Sequence, residues 1–312
     1  MALYAFDGTW NTDKENDNND RETNVVRFYH AYAANSGRKD FYVAGIGTRL
    51  GVVGHAIGGA FGAGELPRLD ETYDRLCENW ARGDHDIDVI GFSRGAATTL
   101  DFCNLVAHRG IRVPTSHTVV EASPRFRFIG LWDVVGAFGI GAIAFDLTHL
   151  NVGHKLRLPK QNVQYCFHAM ALDEVRTSFN VIRVKGAHEV WFRGVHSDIG
   201  GGNENRGLND ISMRWMMRKA KAAGLPITEA QIATLAPDSA AAAKLHDKLP
   251  DIWRPFRDGD VVHYTVKPVP DCRATPAGCA VESEHDELQA QPVAAGGLEA
   301  DAPVPASTGG TT

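Results

Sequence analysis

Short apolar runs alternate with helix-spaced stretches along most of this chain, and that alternation is what most limits its fold. The runs are Leu3–Phe6, Phe41–Ala44, Ile87–Phe92, Phe126–Trp132, Val163–Phe167 and Val181–Val184. Each is bounded by Gly, Asp or Asn and rich in β-branched or aromatic residues. Runs this short and this apolar read as strands buried on both faces rather than as helices. Between them, Glu65–Ala81 sets Leu66, Leu69, Tyr73, Leu76 and Trp80 at helical spacing. Gly95–His108 does the same with Ala96, Leu100, Cys103 and Val106, and Asn209–Ala223 with Ile211, Trp215 and Met216. Strands alternating with helices predict an α/β fold with a mainly parallel central sheet and helices on both faces.

From about Pro268 the character changes to Pro, Ala, Gly, Thr and acidic residues. From Asp271 onward seven acidic residues stand against the single Arg273, so this segment accounts for the whole net charge of −6 and leaves the body formally neutral. The expected organisation is one folded α/β domain over 1–268 and an acidic, disordered tail over 269–312, since such composition buries too little apolar surface to offset its ordering entropy. A neutral body with no basic face excludes a nucleic-acid partner. The five cysteines (Cys77, Cys103, Cys166, Cys272, Cys279) are odd in number and scattered, which fits a reducing compartment better than a disulfide framework. The N-terminal residues show no signal-peptide pattern, and no stretch reaches the ~18 apolar residues of a membrane span. A cytoplasmic protein is therefore expected.

The most informative segment is Asp88-Val-Ile-Gly-Phe-Ser-Arg-Gly-Ala-Ala97, where Gly91 and Gly95 flank Ser93 in a G-x-S-x-G pattern. An apolar strand precedes it and a helix-forming stretch follows. That context matches the nucleophile elbow of α/β-hydrolases, whose sharp strand-to-helix turn leaves no room for a Cβ at the two glycines. A capping serine in an ordinary turn is the plainer alternative. The elbow fixes the order of the remaining groups as acid, then histidine. Asp133 ends the apolar run Phe126–Trp132, and His196 follows Val190–Val195 just before a Gly-Gly-Gly turn where it is expected to be mobile enough to reach the serine. Ser93, Asp133 and His196 are thus the candidate catalytic set. The oxyanion hole is expected at the backbone N–H of Arg94 with a second donor from Gly8 or Thr9, in the polar turn after the first strand. Asp7 and Asp198 are expected to support the site from behind, Asp198 by bracing the glycine turn.

Other residues and motifs compete with this set. His108, His168 and His188 are expected in structural roles, and His263 is a weaker rival for the base. Phe6-Asp-Gly-Thr9 shares part of the D-x-D-G-T of haloacid-dehalogenase-type phosphatases, but Ala5 stands where the nucleophilic aspartate belongs, so no aspartyl-phosphate can form. The acidic stretch Asp13–Asp20 lacks the glycine and terminal glutamate of an EF-hand loop and reads as a solvated loop.

Phe6-Asp-Gly-Thr-Trp-Asn11, Gly45-Ile-Gly-Thr48, Gly91–Ala96, Gly130-Leu-Trp-Asp-Val-Val-Gly136, Phe167–Glu174 and Gly194–Gly202 stand together in one order. A chain with these motifs resembles the phospholipase-effector-like hydrolase domain of type VI secretion systems, over roughly residues 2 to 267. The resemblance implies an α/β-hydrolase fold, a triad falling on Ser93, Asp133 and His196, and hydrolysis of carboxylic esters, typically phospholipid acyl chains. Neither a metal nor an organic cofactor is then required. The expected partner is a lipid or small ester substrate, with peripheral membrane contact through apolar loops. Two glycine-rich apolar segments, Gly51–Gly64 and Val134–Phe145, are candidates for a mouth or lid around an acyl pocket. The alternatives are a general esterase for small soluble esters and a hydrolase-shaped interaction protein that does not turn over.

Overall fold

The structure is a computed structural model that describes residues 1–8, 22–37, 40–45, 61–136, 156–159, 162–241 and 253–293, with the backbone alone over 61–66. Its centre is an eight-stranded sheet. In chain order the elements are β1 (Ala2–Phe6), α1 (Asn24–Ser36), β2 (Phe41–Val43), α2 (Phe61–Ala81), β3 (Ile87–Phe92) and α3 (Arg94–Arg109). A small antiparallel pair, β4 (Ile111–Arg112) and β5 (Val119–Glu121), precedes β6 (Phe126–Trp132) and β7 (Val163–Ala171). Then come β8 (His188–Phe192), α4 (His196–Gly200), α5 (Arg206–Ala222), α6 (Glu229–Ala233), β9 (Val261–His263) and β10 (Ala280–Glu282). The order across the sheet is β10-β9-β8-β7-β6-β3-β1-β2, and every pairing in it is parallel.

Alternate strand residues feed two cores, which is why the strand sequences are apolar throughout. Leu3, Ala5, Ile90, Phe92, Phe128 and Trp132 pack with α1, α5 and α6 on one face. Ala2, Tyr4, Phe6, Ile87, Val89, Ile129 and Leu131 pack with α2 and α3 on the other. The chain leaves β1 toward one face and β3 toward the other, so a switch point falls between these neighbours at their C-terminal ends. Crevices at such points are where open α/β sheets bind ligands. The expected α/β class with a mainly parallel sheet and helices on both faces is the one observed. No helix among the described residues is long and apolar enough to cross a membrane.

Three expectations change. Val181–Val184 is not a strand: Val181 makes one isolated bridge to Val135, and the next sheet strand is β8. Helix α1 was not anticipated, although Thr23 caps it by accepting a hydrogen bond from the Val26 amide. The largest correction concerns the segment after Pro268, expected to be disordered. Its described part, through residue 293, is folded onto the body, with β10 completing the sheet beside β9. Buried counter-charges make this possible. Glu282 takes bonds from His188 at 2.5 Å, Trp215 at 2.9 Å and the buried Lys219 at 2.6 Å. Glu287, equally buried, pairs with Arg218 and His263. Composition averaged over the segment hides these two carboxylates, whose charges the body neutralises. The lid candidates lie mostly outside the described residues; of the second, Val134 and Val135 are buried.

Candidate active site

The elbow forms as the sequence predicts. Ser93 ends β3 with φ 59° and ψ −126°, a conformation that costs roughly 1–3 kcal/mol and must be held by its surroundings. Its amide donates to Trp132 O at 3.0 Å, and its carbonyl accepts from Ala96 and Ala97 at the start of α3. A Cβ at Gly91 would lie 2.3 Å from Thr99 Oγ1, and one at Gly95 would lie 2.3 Å and 2.4 Å from the carbonyl oxygens of Phe6 and Asp7. Glycine at both positions is what lets α3 seat directly against β1 and β3. The side chain of Ser93 makes no capping bond, so the alternative of a mere helix cap does not describe it. It turns to His196 instead, with 2.8 Å between Oγ and Nε2.

His196 Nδ1 lies 2.6 Å from Asp133 Oδ2. Asp133 stands at the C-terminal end of β6, where its amide bonds Ala169 O and its Oδ1 accepts from the Ala171 amide at 2.9 Å. All three side chains therefore sit along one edge of the sheet, at the ends of β3, β6 and β8, and all are buried. His196 does not reach the serine by loop mobility as expected. It opens the short helix α4, its amide donates to Glu174 Oε2 at 3.2 Å, and its ring lies between Phe92 (4.7 Å between centroids) and Phe179 (4.8 Å). Asp198 turns away from His196 and accepts from the Val195 amide and from the side chains of Asn203 and Asn205.

Burial alone would raise the Asp133 carboxyl, but the charge of Arg254 and the contact with His196 outweigh it and hold it well below the usual carboxylate range. Burial, assisted by the charge of Arg254, moves His196 below the ordinary imidazole value against the opposing pull of Asp133. Asp133 is thus ionised and His196 neutral near pH 7. An ionised carboxylate only accepts, so Nδ1 carries the imidazole proton and Nε2 is left to accept from Ser93. That is the arrangement of a general base aimed at a serine hydroxyl.

Arg254 was not foreseen. Its two terminal nitrogens bond Asp133 Oδ1 at 2.6 Å and Oδ2 at 2.9 Å, and they also donate to the carbonyls of Ala171 and Phe179. Glu174, also unforeseen as a site residue, supports His196 and is itself paired with Arg176 at 2.8 Å.

The expected oxyanion donors are only partly in place. Arg94 is the first residue of α3, so its amide opens a sixteen-residue helix directly after Ser93. Gly8 does not serve as proposed: its amide donates to Asp7 Oδ1 at 2.6 Å, because Asp7 folds back on its own turn while Thr23 and Tyr42 hold its other oxygen at 2.7 Å. Thr9 lies outside the described residues. The other histidines weighed from the sequence stand away from this set, three of them in hydrogen bonds and His108 exposed rather than packed as expected. His168 bridges Glu189 and the Val134 amide, His188 binds Glu282, His263 binds Glu287, and His108 is exposed. No group of three or more His, Cys, Asp or Glu among the described residues is arranged to hold a metal ion.

Comparison with known proteins agrees with the architecture. A solved structure of an uncharacterized protein from Pseudomonas aeruginosa is 21% identical, with a TM-score of 0.50 over 76% of this chain and 48% of its own. At that identity the likeness shows a shared fold. The structure of a Tle1 effector bound to the VgrG spike of the type VI secretion system is 25% identical, with a TM-score of 0.43 over 66% of this chain and 51% of its own. The chain thus spans about half the length of these two proteins. No curated protein matches it. Residues 3–122 and 112–219 match the family described as the catalytic domain of Tle1-like phospholipase effectors of type VI secretion systems, and the chain belongs to that family.

Proposed function

We propose that this chain is a serine carboxylester hydrolase of lipase or phospholipase type, with Ser93 as nucleophile, His196 as general base and acid, and Asp133 as the carboxylate that orients and stabilises the imidazolium. The observation that carries the reading is the continuous chain of short contacts, 2.8 Å from Ser93 to His196 and 2.6 Å from His196 to Asp133, buried at the C-terminal edge of a parallel sheet. Ser93 Oγ attacks the ester carbonyl carbon while its proton passes to Nε2. The carbonyl π electrons move onto oxygen, and the Arg94 amide at the positive end of α3 faces that developing charge. Collapse breaks the ester C–O bond, and the leaving alkoxide takes the proton from Nε2. Water, deprotonated by the same nitrogen, then attacks the acyl-serine and returns the site to its starting state.

Membership of the phospholipase effector family favours phospholipid acyl esters as the substrate. A general esterase working on small soluble esters is the nearest alternative. The test is hydrolysis of short acyl esters and of defined phospholipid vesicles, compared between the wild type and Ser93→Ala. Equal rates in the two proteins would remove Ser93 from the mechanism. Turnover of short esters with no release of fatty acid from vesicles would favour the general esterase.

A further inference from the structure

A relay of serine, histidine and aspartate is complete with three side chains, yet a fourth is built into this one. Arg254 is buried, with 2% of its side chain exposed, and forks onto both oxygens of Asp133 at 2.6 Å and 2.9 Å. It is not a passing surface ion pair. Its terminal nitrogens also donate to Ala171 O, at 2.9 Å, and Phe179 O, which ties the arginine to the ends of β7 and of the loop that follows. Nor is its backbone loose. Phe256, two residues on, packs its ring 5.3 Å from that of Trp191 on β8. Asp260 accepts from Trp191 Nε1 at 2.9 Å and from the Arg257 amide at 3.0 Å, and it is paired with Arg183. Arg254 also lies well beyond residue 219, where the match to the family ends.

Charged groups face His196 from several elements. Asp133 faces it from β6 and Arg254 faces it through Asp133. Glu174, after β7, takes its amide and is neutralised by Arg176. Asp198, on its own helix, is turned toward Val195, Asn203 and Asn205. Ser93 and the rings of Phe92 and Phe179 complete the surroundings. With Asp133 and Arg254 cancelling, the resting site is neutral. When His196 takes the serine proton, the unit gains one positive charge just as one negative charge forms on the substrate oxygen. Without the arginine, aspartate and imidazolium would cancel each other and the oxyanion would have no counter-charge in a buried site.

We propose that Arg254 is a positioning residue of this site: it locks the orientation of the Asp133 carboxylate and offsets its charge, so that His196 works against a balanced site and activity extends further toward acid pH. The proposal rests on the hydrolase reading given above. It is tested by pH profiles of kcat and KM for the wild type, Arg254→Gln and Arg254→Lys, together with NMR titration of His196 in Ser93→Ala with and without Arg254→Gln. Arg254→Gln is expected to move the acid limb of kcat/KM to higher pH and to lower kcat on the order of 100-fold, with KM little changed. Arg254→Lys keeps the charge but loses the fork, so its acid limb should stay near that of the wild type while kcat stays reduced. A purely structural role would lower the amount of active enzyme and leave the limb in place. An unmoved limb in Arg254→Gln therefore overturns the proposal, and so does a lysine variant shifted as far as the glutamine one. Should Arg254→Gln fail to fold, a moved acid limb in Arg254→Lys is the overturning result. If the wild type hydrolyses no ester while His196 still titrates at higher pH after Arg254→Gln, the hydrolase reading fails and the action of the arginine on the histidine stands.

Discussion

Replacing Asp133 by asparagine separates two jobs that one carboxylate performs here. The side chain is fully buried and accepts four bonds: one from His196, one from the Ala171 amide and two from Arg254. Asparagine keeps one acceptor oxygen and presents an NH2 group where the other oxygen stood, so a donor of His196 or of Arg254 is left facing a donor. In a triad whose aspartate served only the histidine, this change would mainly hold the imidazole in the wrong tautomer, at a cost of about 10⁴ in kcat. Here it also strands a buried guanidinium. Breaking one side of a buried ion pair costs about 3–5 kcal/mol, which for a domain this large lowers the melting temperature by roughly 10 °C. Asp133→Asn should therefore lose both activity and stability. Combining it with Arg254→Met removes the stranded charge, and the double variant should regain much of the lost stability without regaining activity. Thermal unfolding followed by circular dichroism reads the first quantity, and ester hydrolysis reads the second. An Asp133→Asn protein that melts with the wild type, or a double variant no more stable than the single one, refutes the reasoning.

Gly95→Ala should be among the most damaging single-methyl additions, because its Cβ would lie 2.3 Å from a backbone carbonyl of β1 rather than a movable side chain. A loss of about 3 kcal/mol in urea unfolding is expected. Burial tends to raise Glu282, but the bond from His188 and the charge of Lys219 bring it from 4.5 down to about 2. The stabilisation from this depressed carboxyl is complete above about 4.5 and disappears as the pH falls toward 2. Acid unfolding of Glu282→Gln should therefore be less steep over that window, although the variant is less stable at neutral pH. Deleting residues 269–312 removes the partners of His188, Lys219, Arg218 and His263, whereas deleting 294–312 leaves all of these contacts in place. The longer deletion should melt several degrees lower than the shorter one by calorimetry.

What could be read from the sequence follows the range over which each feature is specified. The elbow is local. Its strand, two glycines and helix lie within a few residues of Ser93, and the clashes that demand glycine come from the elements it joins. Asp133 was legible because an apolar strand runs straight into it. Helix α1 was also within reach: Val25, Phe28 and Tyr32 bury one face at helical spacing behind the Thr23 cap. Arg254 carries no such signature. It stands between Trp253 and Pro255, and its partner is 121 residues away in the chain. The same holds for β10, three residues in a Pro- and Ala-rich stretch whose buried Glu282 is explained only by His188 on β8 and Lys219 on α5. Gly8 differs for another reason. The turn was placed correctly, but the reach of Asp7 back to its own neighbour's amide depends on backbone detail that residue types do not encode.

The all-parallel pairing of the main sheet also bears on how the protein is made. No two neighbouring strands of that sheet are joined by a tight hairpin, and the only antiparallel strand pair among the described residues is the small β4–β5 ribbon. Every strand of that sheet except the two at its edges must wait for a neighbour synthesised later, so folding should be slow and governed by distant contacts. The serine, the aspartate and the histidine are all synthesised before Arg254. The nascent chain therefore carries its chemical groups for some time before the charge that balances them arrives.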